Sequence, residues 1–90
     1  MRVDRFLKLS RLVKRRAAAA EMVAVGAVRL NGRTVKPSAD VKEGDRLEVA
    51  FPRMLLGIAV LSADETALKR GAASYRIEEE RPLCPDERPW

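Results

Sequence analysis

A chain of 90 residues, of which 47% are hydrophobic, has room for one domain with one modest core. Its formal net charge of +5 is unevenly divided, because residues 1–36 carry +8 and residues 37–90 carry −3. There is no apolar run of about 18 residues, and cations interrupt the first apolar residues, so we expect neither a membrane span nor a signal peptide. Cys84 is the one cysteine, which excludes an intrachain disulfide and favours a cytoplasmic protein. A strongly basic N-terminal segment followed by a mildly acidic remainder is typical of proteins that bind a polyanion.

Two helices are predicted in the first third of the chain. A stripe of apolar residues predicts a helix over residues 3–9, with an acid in its first turn. An alanine-rich segment of high helix propensity predicts a second helix over residues 16–25, and Gly26 suits a left-handed cap at its end. We interpret residues 11–16 as the corner between these two helices.

The chain beyond Gly26 has the pattern of a β-structure. Asn31-Gly32 lies between two alternating runs and predicts a tight hairpin, because both turn positions require positive φ. Further strands are predicted at residues 46–51, 55–61 and 75–79, and a short helix over residues 64–73. The predicted class is α+β, in which two N-terminal helices pack on a small antiparallel β-structure and a short β/α extension follows.

We expect one domain in three parts. Residues 1–50 form the main module, and residues 51–80 form a C-terminal β/α extension of the same domain. Residues 81–90 contain three prolines and are predicted to be a disordered tail. No internal repeat or low-complexity linker divides the chain.

The cations of the first half are regularly spaced. Five of them recur at every third position, namely Arg2, Arg5, Lys8, Arg11 and Lys14. The first three are predicted to share one broad face of a helix. A solvated polar face is the ordinary interpretation of such a pattern. However, Asp4 is the one acid among the first twenty residues, and this scarcity favours a face that binds phosphates.

Lys14-Arg15-Arg16 gives a sharper signal, because these cations stand at the predicted start of the second helix. The helix dipole repels cations there, and the first amide N–H groups lack acceptors within the helix. A bound phosphate would satisfy these donors and neutralise the cations. The alternative is an exposed corner whose charge only aids solubility. Arg33 and Lys36, on or beside the hairpin, are predicted to extend the basic surface.

Catalytic and metal-binding patterns are absent from the sequence. The chain has no histidine, and no glycine-rich loop is followed by Lys-Ser or Lys-Thr. The run Glu78-Glu79-Glu80 lacks partners for metal binding and is interpreted as a solvated strand end. We therefore expect a protein that is not an enzyme and that carries no metal and no cofactor.

Many positions of the first half match a known pattern in order and spacing. They are Arg2-Val3-Asp4-Arg5-Phe6-Leu7, Lys14-Arg15-Arg16, Ala19, Gly26, Val28, Asn31-Gly32, Val35-Lys36-Pro37-Ser38, Val41, Gly44-Asp45, Leu47 and Val49. This pattern resembles the S-four RNA-binding domain, the αL motif named after the fourth protein of the small ribosomal subunit. The resemblance covers residues 1–50 and implies two helices on a small β-structure. It also implies that the helical face binds structured RNA through its shape and its phosphates.

Within that family, the short length and the opening MRVDRFLKLSRLVKRR resemble the bacterial ribosome-quality-control factors, which are relatives of a ribosome-associated heat-shock protein. The resemblance implies binding to obstructed large ribosomal subunits, with contacts to large-subunit ribosomal RNA and to peptidyl-tRNA. It implies partnership with an RqcH-type tailing factor, which directs alanine tailing of stalled nascent chains. Arg2 and Arg16 match positions expected to contact RNA, and Lys14 and Arg15 belong to the same motif. We expect a monomer off the ribosome.

Two positions depart from the family pattern. Ala17 stands where Ser or Thr is common and can cap the second helix, and loss of such a cap typically costs about 1 kcal/mol. High helix propensity or a bound phosphate would then compensate. Ala20 stands where a basic residue is frequent, which weakens that edge of the basic face.

Three other functions remain open. The first is a heat-shock-type recycling factor for aberrant large subunits, although that relative usually carries a long basic C-terminal extension. The second is a non-catalytic RNA-targeting subunit of an RNA-modifying enzyme. The third is an adaptor whose basic face meets an acidic protein.

Overall fold

The structure, a computed structural model, describes residues 1–84 and Trp90. In this part of the chain two N-terminal helices pack on one five-stranded antiparallel sheet, and a short third helix packs against the first. In chain order the elements are α1 (Val3–Leu9), α2 (Arg16–Ala24), β1 (Val28–Leu30), β2 (Arg33–Thr34), β3 (Arg46–Phe51), β4 (Met54–Val60), α3 (Glu65–Lys69) and β5 (Tyr75–Pro82). The strand order is β2-β1-β3-β4-β5, so β2 and β5 form the two edges of the sheet. The predicted α+β class is confirmed. None of the helices in the described part is long and apolar enough to cross a membrane.

One apolar core joins α1 and α2 to the sheet. The side chains that are at most 1% exposed include Val3, Phe6 and Leu7 of α1, Ala19 and Val23 of α2, and Leu47, Val49 and Ile58 of the sheet. Leu47 faces Ile58 across the β3–β4 ladder, so neighbouring strands contribute to the same core face. Burial of each such leucine or isoleucine contributes about 1.5–3 kcal/mol. The core therefore fixes the helical pair on the sheet.

The end of α2 is closed by a glycine in the left-handed region. Gly26 has φ of 82°, and its N–H donates to Val23 O at 3.1 Å. The next N–H, of Ala27, donates to Met22 O at 2.9 Å, which completes a Schellman motif. The predicted cap at Gly26 is confirmed.

The hairpin between β1 and β2 has the predicted tight turn. Asn31 and Gly32 have φ of 50° and 82°, so both turn positions are in the left-handed region. The Asn31 side chain also connects the turn to the start of β3. Its Oδ1 accepts from Arg46 N at 2.9 Å, and its Nδ2 donates to Asp45 Oδ1 at 3.2 Å. Asn31 therefore holds the hairpin against the next strand in addition to allowing the turn.

The C-terminal strands pair closely around a glycine. The β4–β5 register shifts between Gly57 and Ile58. A Cβ atom on Gly57 would lie 3.1 Å from Glu79 Cβ, so the missing side chain lets β5 approach β4 at this point. β5 continues to Pro82, beyond the predicted end at residue 79.

The predicted disordered tail of residues 81–90 starts too early. Arg81 and Pro82 belong to β5, and Leu83 is buried with 7% exposure. Residues 85–89, on which most of that prediction falls, lie outside the described residues. Trp90 contacts the rest of the chain, because its Nε1 donates to Gly26 O at 3.0 Å.

Candidate RNA-binding surface

The highest local concentration of cations lies where α2 begins, at a segment that we call the basic corner (Lys14-Arg15-Arg16). Arg15 is the N-cap residue, with φ of −126° and ψ of 138°, and its carbonyl oxygen accepts from Ala19 N at 3.0 Å. The Arg15 side chain makes no capping hydrogen bond, and the first turn contains no acidic residue. All three residues of the basic corner are exposed. The first amide donors of α2 thus lack acceptors within the helix and lie beside three cations, an arrangement that suits phosphate oxygens.

Position 17 is not the capping position that the family pattern suggested. Because Arg15 is the N-cap, Ala17 is the second residue inside α2, and a hydroxyl there would not be an N-cap side chain. The predicted loss of a cap at Ala17 is therefore wrong. The residue that lacks a capping side chain is Arg15.

A buried carboxylate connects the two helices. Asp4 is 2% exposed, and its Oδ1 accepts from Arg5 N at 2.7 Å and from Arg2 Nε at 3.3 Å. Its Oδ2 lies 3.2 Å from Arg2 Nη2 and 3.7 Å from Arg16 Nε. The two arginine side chains remain 51% and 44% exposed. Because a guanidinium has five N–H donors, both arginines keep donors for an external anion while one acid holds them together.

The turn between α1 and α2 has a defined geometry. Ser10 is buried, and its hydroxyl donates to Leu7 O at 3.1 Å. Arg11 has φ of 67°, which is uncommon for a residue with a side chain. Val13 then returns to the core with 8% exposure, and its N–H donates to Leu7 O at 3.1 Å. This turn carries the chain directly into the basic corner.

The three cations predicted to share a face of α1 differ in their partners. Arg2 precedes the helix and is directed to Asp4, whereas Lys8 is exposed in the last turn. Arg5 instead forms an ion pair with Glu65, the first residue of α3. The regular spacing of three therefore does not leave the three cations equally available, because Arg2 and Arg5 are ion-paired within the described residues whereas Lys8 has no ion pair there.

The hairpin carries one structural cation and two exposed ones. Arg29 Nε lies 3.9 Å from Glu48 Oε1, and its guanidinium carbon lies 5.2 Å from the centre of the Trp90 ring. Arg29 therefore stabilises the β1–β3 pair and the contact with Trp90. Arg33 and Lys36 are both exposed.

The nine cations predicted to bind RNA thus fall into two groups. Three are ion-paired, namely Arg2 and Arg16 with Asp4, and Arg5 with Glu65. For the other six, no ion pair occurs within residues 1–84 and Trp90; they are Lys8, Arg11, Lys14, Arg15, Arg33 and Lys36.

Sequence reasoning missed the two acids that organise these cations. Asp4 was interpreted only as a favourable acid in the first turn of α1, although its spacing from Arg2 is a local signal for an ion pair. Glu65 was assigned no role. No local signal was available for it, because Arg5 and Glu65 are distant in the chain and meet only through the packing of α3 on α1.

Residues 1–47 match the S4 domain. The chain belongs to the S4 domain family. The matched region contains α1, α2, the hairpin and the start of β3, which are the elements that form and support the basic corner. The resemblance that the sequence motifs indicated is therefore confirmed.

The chain is also similar, over most of its length, to proteins named RQC P-site tRNA stabilizing factor. It is 39% identical to that of Halalkalibacterium halodurans over 97% of this chain and 100% of the relative. It is 44% identical to that of Bacillus subtilis over 92% of this chain and 98% of the relative. These identities place the chain in the same family as those factors, whose name describes stabilization of a tRNA and no catalysis.

A solved structure shares the fold. Heat Shock Protein 15 of Vibrio cholerae, described as trimeric, aligns with a TM-score of 0.75 and 26% sequence identity. The alignment covers 86% of this chain and 80% of that one. In the described part of the chain, no three Cys, Asp or Glu residues group in a way that would hold a metal ion.

Proposed function

We propose that this protein is a ribosome-associated quality-control factor of the RqcP type. It binds obstructed large ribosomal subunits, contacts large-subunit ribosomal RNA and peptidyl-tRNA, and supports alanine tailing of stalled nascent chains by an RqcH-type tailing factor. The similarity to RQC P-site tRNA stabilizing factors over nearly the whole chain carries this proposal. The role is non-catalytic and cytoplasmic, needs no cofactor, and the protein is a monomer off the ribosome.

The basic corner supplies the chemistry for RNA contact. Phosphate oxygens accept hydrogen bonds from the first amides of α2 and from the guanidinium groups of Arg15 and Arg16. Arg2, which Asp4 holds beside Arg16, adds a second guanidinium group to the same surface. The other cations that have no ion pair within the described residues widen the contact, namely Lys8, Arg11, Lys14, Arg33 and Lys36.

These contacts favour recognition of RNA by shape. Arginine and backbone N–H groups directed at phosphates carry no direct information about base sequence. A-form RNA presents its phosphates and 2′-hydroxyls in a fixed geometry, which a rigid surface can match. The core and the turn through Ser10 hold the basic corner rigidly, so little order has to be acquired when a tRNA or rRNA element binds. This preorganisation suits a factor that holds a tRNA in place.

An Arg16→Ala exchange tests the site. We expect cosedimentation with large ribosomal subunits to weaken about tenfold, the effect of losing one charge-assisted contact. Arg53→Ala is the matched control, because Arg53 is an exposed arginine in the β3–β4 turn and its loss changes the net charge equally. Thermal unfolding would verify that both variants fold. Equal sedimentation of the two variants would show that the basic corner is not the RNA site.

The salt dependence of binding provides a second test. About six phosphate contacts give a log–log slope of affinity against salt concentration of about −4 to −5. A nearly flat dependence would contradict binding through phosphates.

A heat-shock-type recycling role is the second candidate, favoured by the structural similarity to Heat Shock Protein 15. Affinity purification of the tagged protein from its own cells separates the candidates. The quality-control role predicts copurification of obstructed large subunits together with the RqcH-type factor and alanine-tailed chains. Large subunits without the tailing factor would indicate recycling. An RNA-modifying enzyme, or an acidic protein retained after ribonuclease treatment, would indicate a targeting subunit or an adaptor.

A further inference from the structure

Within residues 1–84 and Trp90, Arg5 is the one predicted RNA-binding cation that is ion-paired with a residue beyond the S4-matching region. Its guanidinium forms an ion pair with the Glu65 carboxylate, and the two side chains are 37% and 41% exposed. Arg5 Nε is nevertheless buried and has no hydrogen-bond partner among the described residues. The pair therefore occupies Arg5 but does not satisfy all of its donors.

Glu65 is held in this position by features that do not depend on the pair. The Asp64 side chain caps α3, since its Oδ1 accepts from Thr66 N at 3.1 Å. Leu68, on the same short helix, is buried with 7% exposure. Glu65 also lies 3.5 Å from Lys69 Nζ, one turn along α3. Removal of the Glu65 charge is therefore expected to leave α3 folded and docked on α1.

A carboxylate and a phosphate compete for the same guanidinium. Binding to any polyanion strengthens with the number of cations available to it, whatever the shape of the RNA. A carboxylate that occupies one cation and repels phosphates nearby lowers this general attraction. The same carboxylate does not affect the contacts at the basic corner, which depend on an RNA whose shape fits that surface.

We propose that Glu65 is a specificity-determining residue that withholds Arg5 from RNA phosphates. The inference rests on the proposed RNA-binding function. It assigns to α3, which lies outside the region matching the S4 domain, the role of limiting non-specific RNA binding. Binding of the full chain to RNA then depends on the basic corner more than on the sum of its cations.

The full-length Glu65→Gln variant tests this proposal. A regular A-form RNA duplex serves as the non-specific probe, measured by fluorescence anisotropy, and purified large ribosomal subunits serve as the specific target, measured by cosedimentation. We expect duplex affinity to rise about two- to fivefold, the range for release of a half-exposed ion pair. The salt slope should steepen by about 0.7–1, corresponding to one additional phosphate contact. Affinity for large subunits should change less. The ratio of large-subunit affinity to duplex affinity should therefore fall.

Two comparisons separate the proposed role of Glu65 from a general effect of charge and from a contact that only stabilises the fold. Glu43→Gln makes the same charge change at an exposed residue for which no ion pair occurs within residues 1–84 and Trp90. In an Arg5→Ala background, Glu65→Gln should raise duplex affinity no more than Glu43→Gln does, because only the general loss of one negative charge remains. The proposal is overturned if Glu65→Gln behaves like Glu43→Gln in the unmodified background, or if its excess effect over Glu43→Gln persists without Arg5.

Arg16→Ala, measured in the same experiments, distinguishes a failure of the proposed RNA-binding site from a failure of the role proposed for Glu65. If Arg16→Ala binds large subunits like the unmodified protein, the proposed function fails at the basic corner. If Arg16→Ala weakens binding while Glu65→Gln matches Glu43→Gln, the role of Glu65 alone is wrong.

Discussion

Replacement of Asp4 by Asn distinguishes two ways in which a basic surface can bind RNA. Removing an acid from a half that carries +8 raises its positive charge, so attraction by charge alone would tighten RNA binding. The structure predicts the opposite, because Asp4 holds the guanidinium groups of Arg2 and Arg16 side by side. Without the carboxylate, both side chains regain rotamer freedom and must be ordered when RNA binds.

The magnitude follows from these two opposing effects. Ordering a long side chain at an interface costs about 0.5–1.5 kcal/mol, so two arginines cost about 1–3 kcal/mol. The added positive charge lies near solvent and contributes less than about 1 kcal/mol. The difference is centred on about 1–1.5 kcal/mol, so we expect Asp4→Asn to weaken binding about five- to tenfold. Asn still accepts from Arg5 N, and the two lost ion pairs join the buried Asp4 to arginines that are half-exposed, so the exchange should cost about 1 kcal/mol of folding stability, or about 4–8 °C in Tm.

Cosedimentation with large ribosomal subunits at several salt concentrations measures the effect. Glu21→Gln is the matched control, since Glu21 is the other acid of residues 1–36 and is exposed on α2. The two variants make the same change in charge, and Glu21→Gln should bind as tightly as the unmodified protein or more tightly. If Asp4→Asn binds as tightly as Glu21→Gln, the positioning of Arg2 and Arg16 does not matter for RNA binding.

Two further predictions concern stability. Gly26→Ala forces a residue with a Cβ into φ of 82°. The new Cβ would lie 3.9 Å from Thr34 Cγ2, an ordinary contact, so the loss of stability should come from the backbone conformation and amount to about 1–2 kcal/mol. An unchanged urea midpoint of unfolding would argue against the left-handed cap. The ammonium group of Met1 lowers the pKa of Asp40 below its usual 3.8 through a hydrogen bond and charge attraction, with Lys42 adding to the shift. Because the pKa of Asp40 is lower in the folded state, its pairing with Met1 stabilises the fold fully at pH values above the ordinary pKa of 3.8. This stabilisation is lost as pH falls through the lowered pKa. Asp40→Asn should therefore make Tm fall less steeply at acid pH. Curves of Tm against pH with the same shape for the variant and the unmodified protein would contradict the pairing.

The elements with strong local signals were predicted close to their observed bounds. α1 has the predicted bounds of residues 3–9, and the turn at Asn31-Gly32 is as expected, because periodicity and positive φ are encoded locally. α3 is shorter than the predicted residues 64–73 and is followed by Gly71 with φ of 92°. β5 is longer than predicted because its pairing with β4 continues to Pro82, and such long-range pairing leaves no local pattern.

The sequence revealed the cations of the candidate site but not their partners. The charge excess and the position of Lys14-Arg15-Arg16 were sufficient to identify the basic corner. The link from Arg2 through Asp4 to Arg16 depends on how α1 packs against α2, and the Arg5–Glu65 pair depends on where α3 docks. Both are consequences of tertiary packing. The cap assigned to position 17 was wrong although the start of α2 at Arg16 was predicted correctly, because Ala17 lies inside the helix and the N-cap is Arg15.

The strand order gives the molecule an electric dipole in addition to its net charge. β2 carries exposed Arg33, whereas on β5 the exposed run Glu78-Glu79-Glu80 outnumbers Arg76 and Arg81. These strands lie at opposite edges of the sheet, about 19 Å apart at about 4.8 Å per strand. In the field of a polyanion, such a dipole experiences a torque that turns the hairpin edge toward the RNA before contact. The glutamates of β5 therefore influence the orientation of the protein at encounter, and so the association rate rather than the dissociation rate.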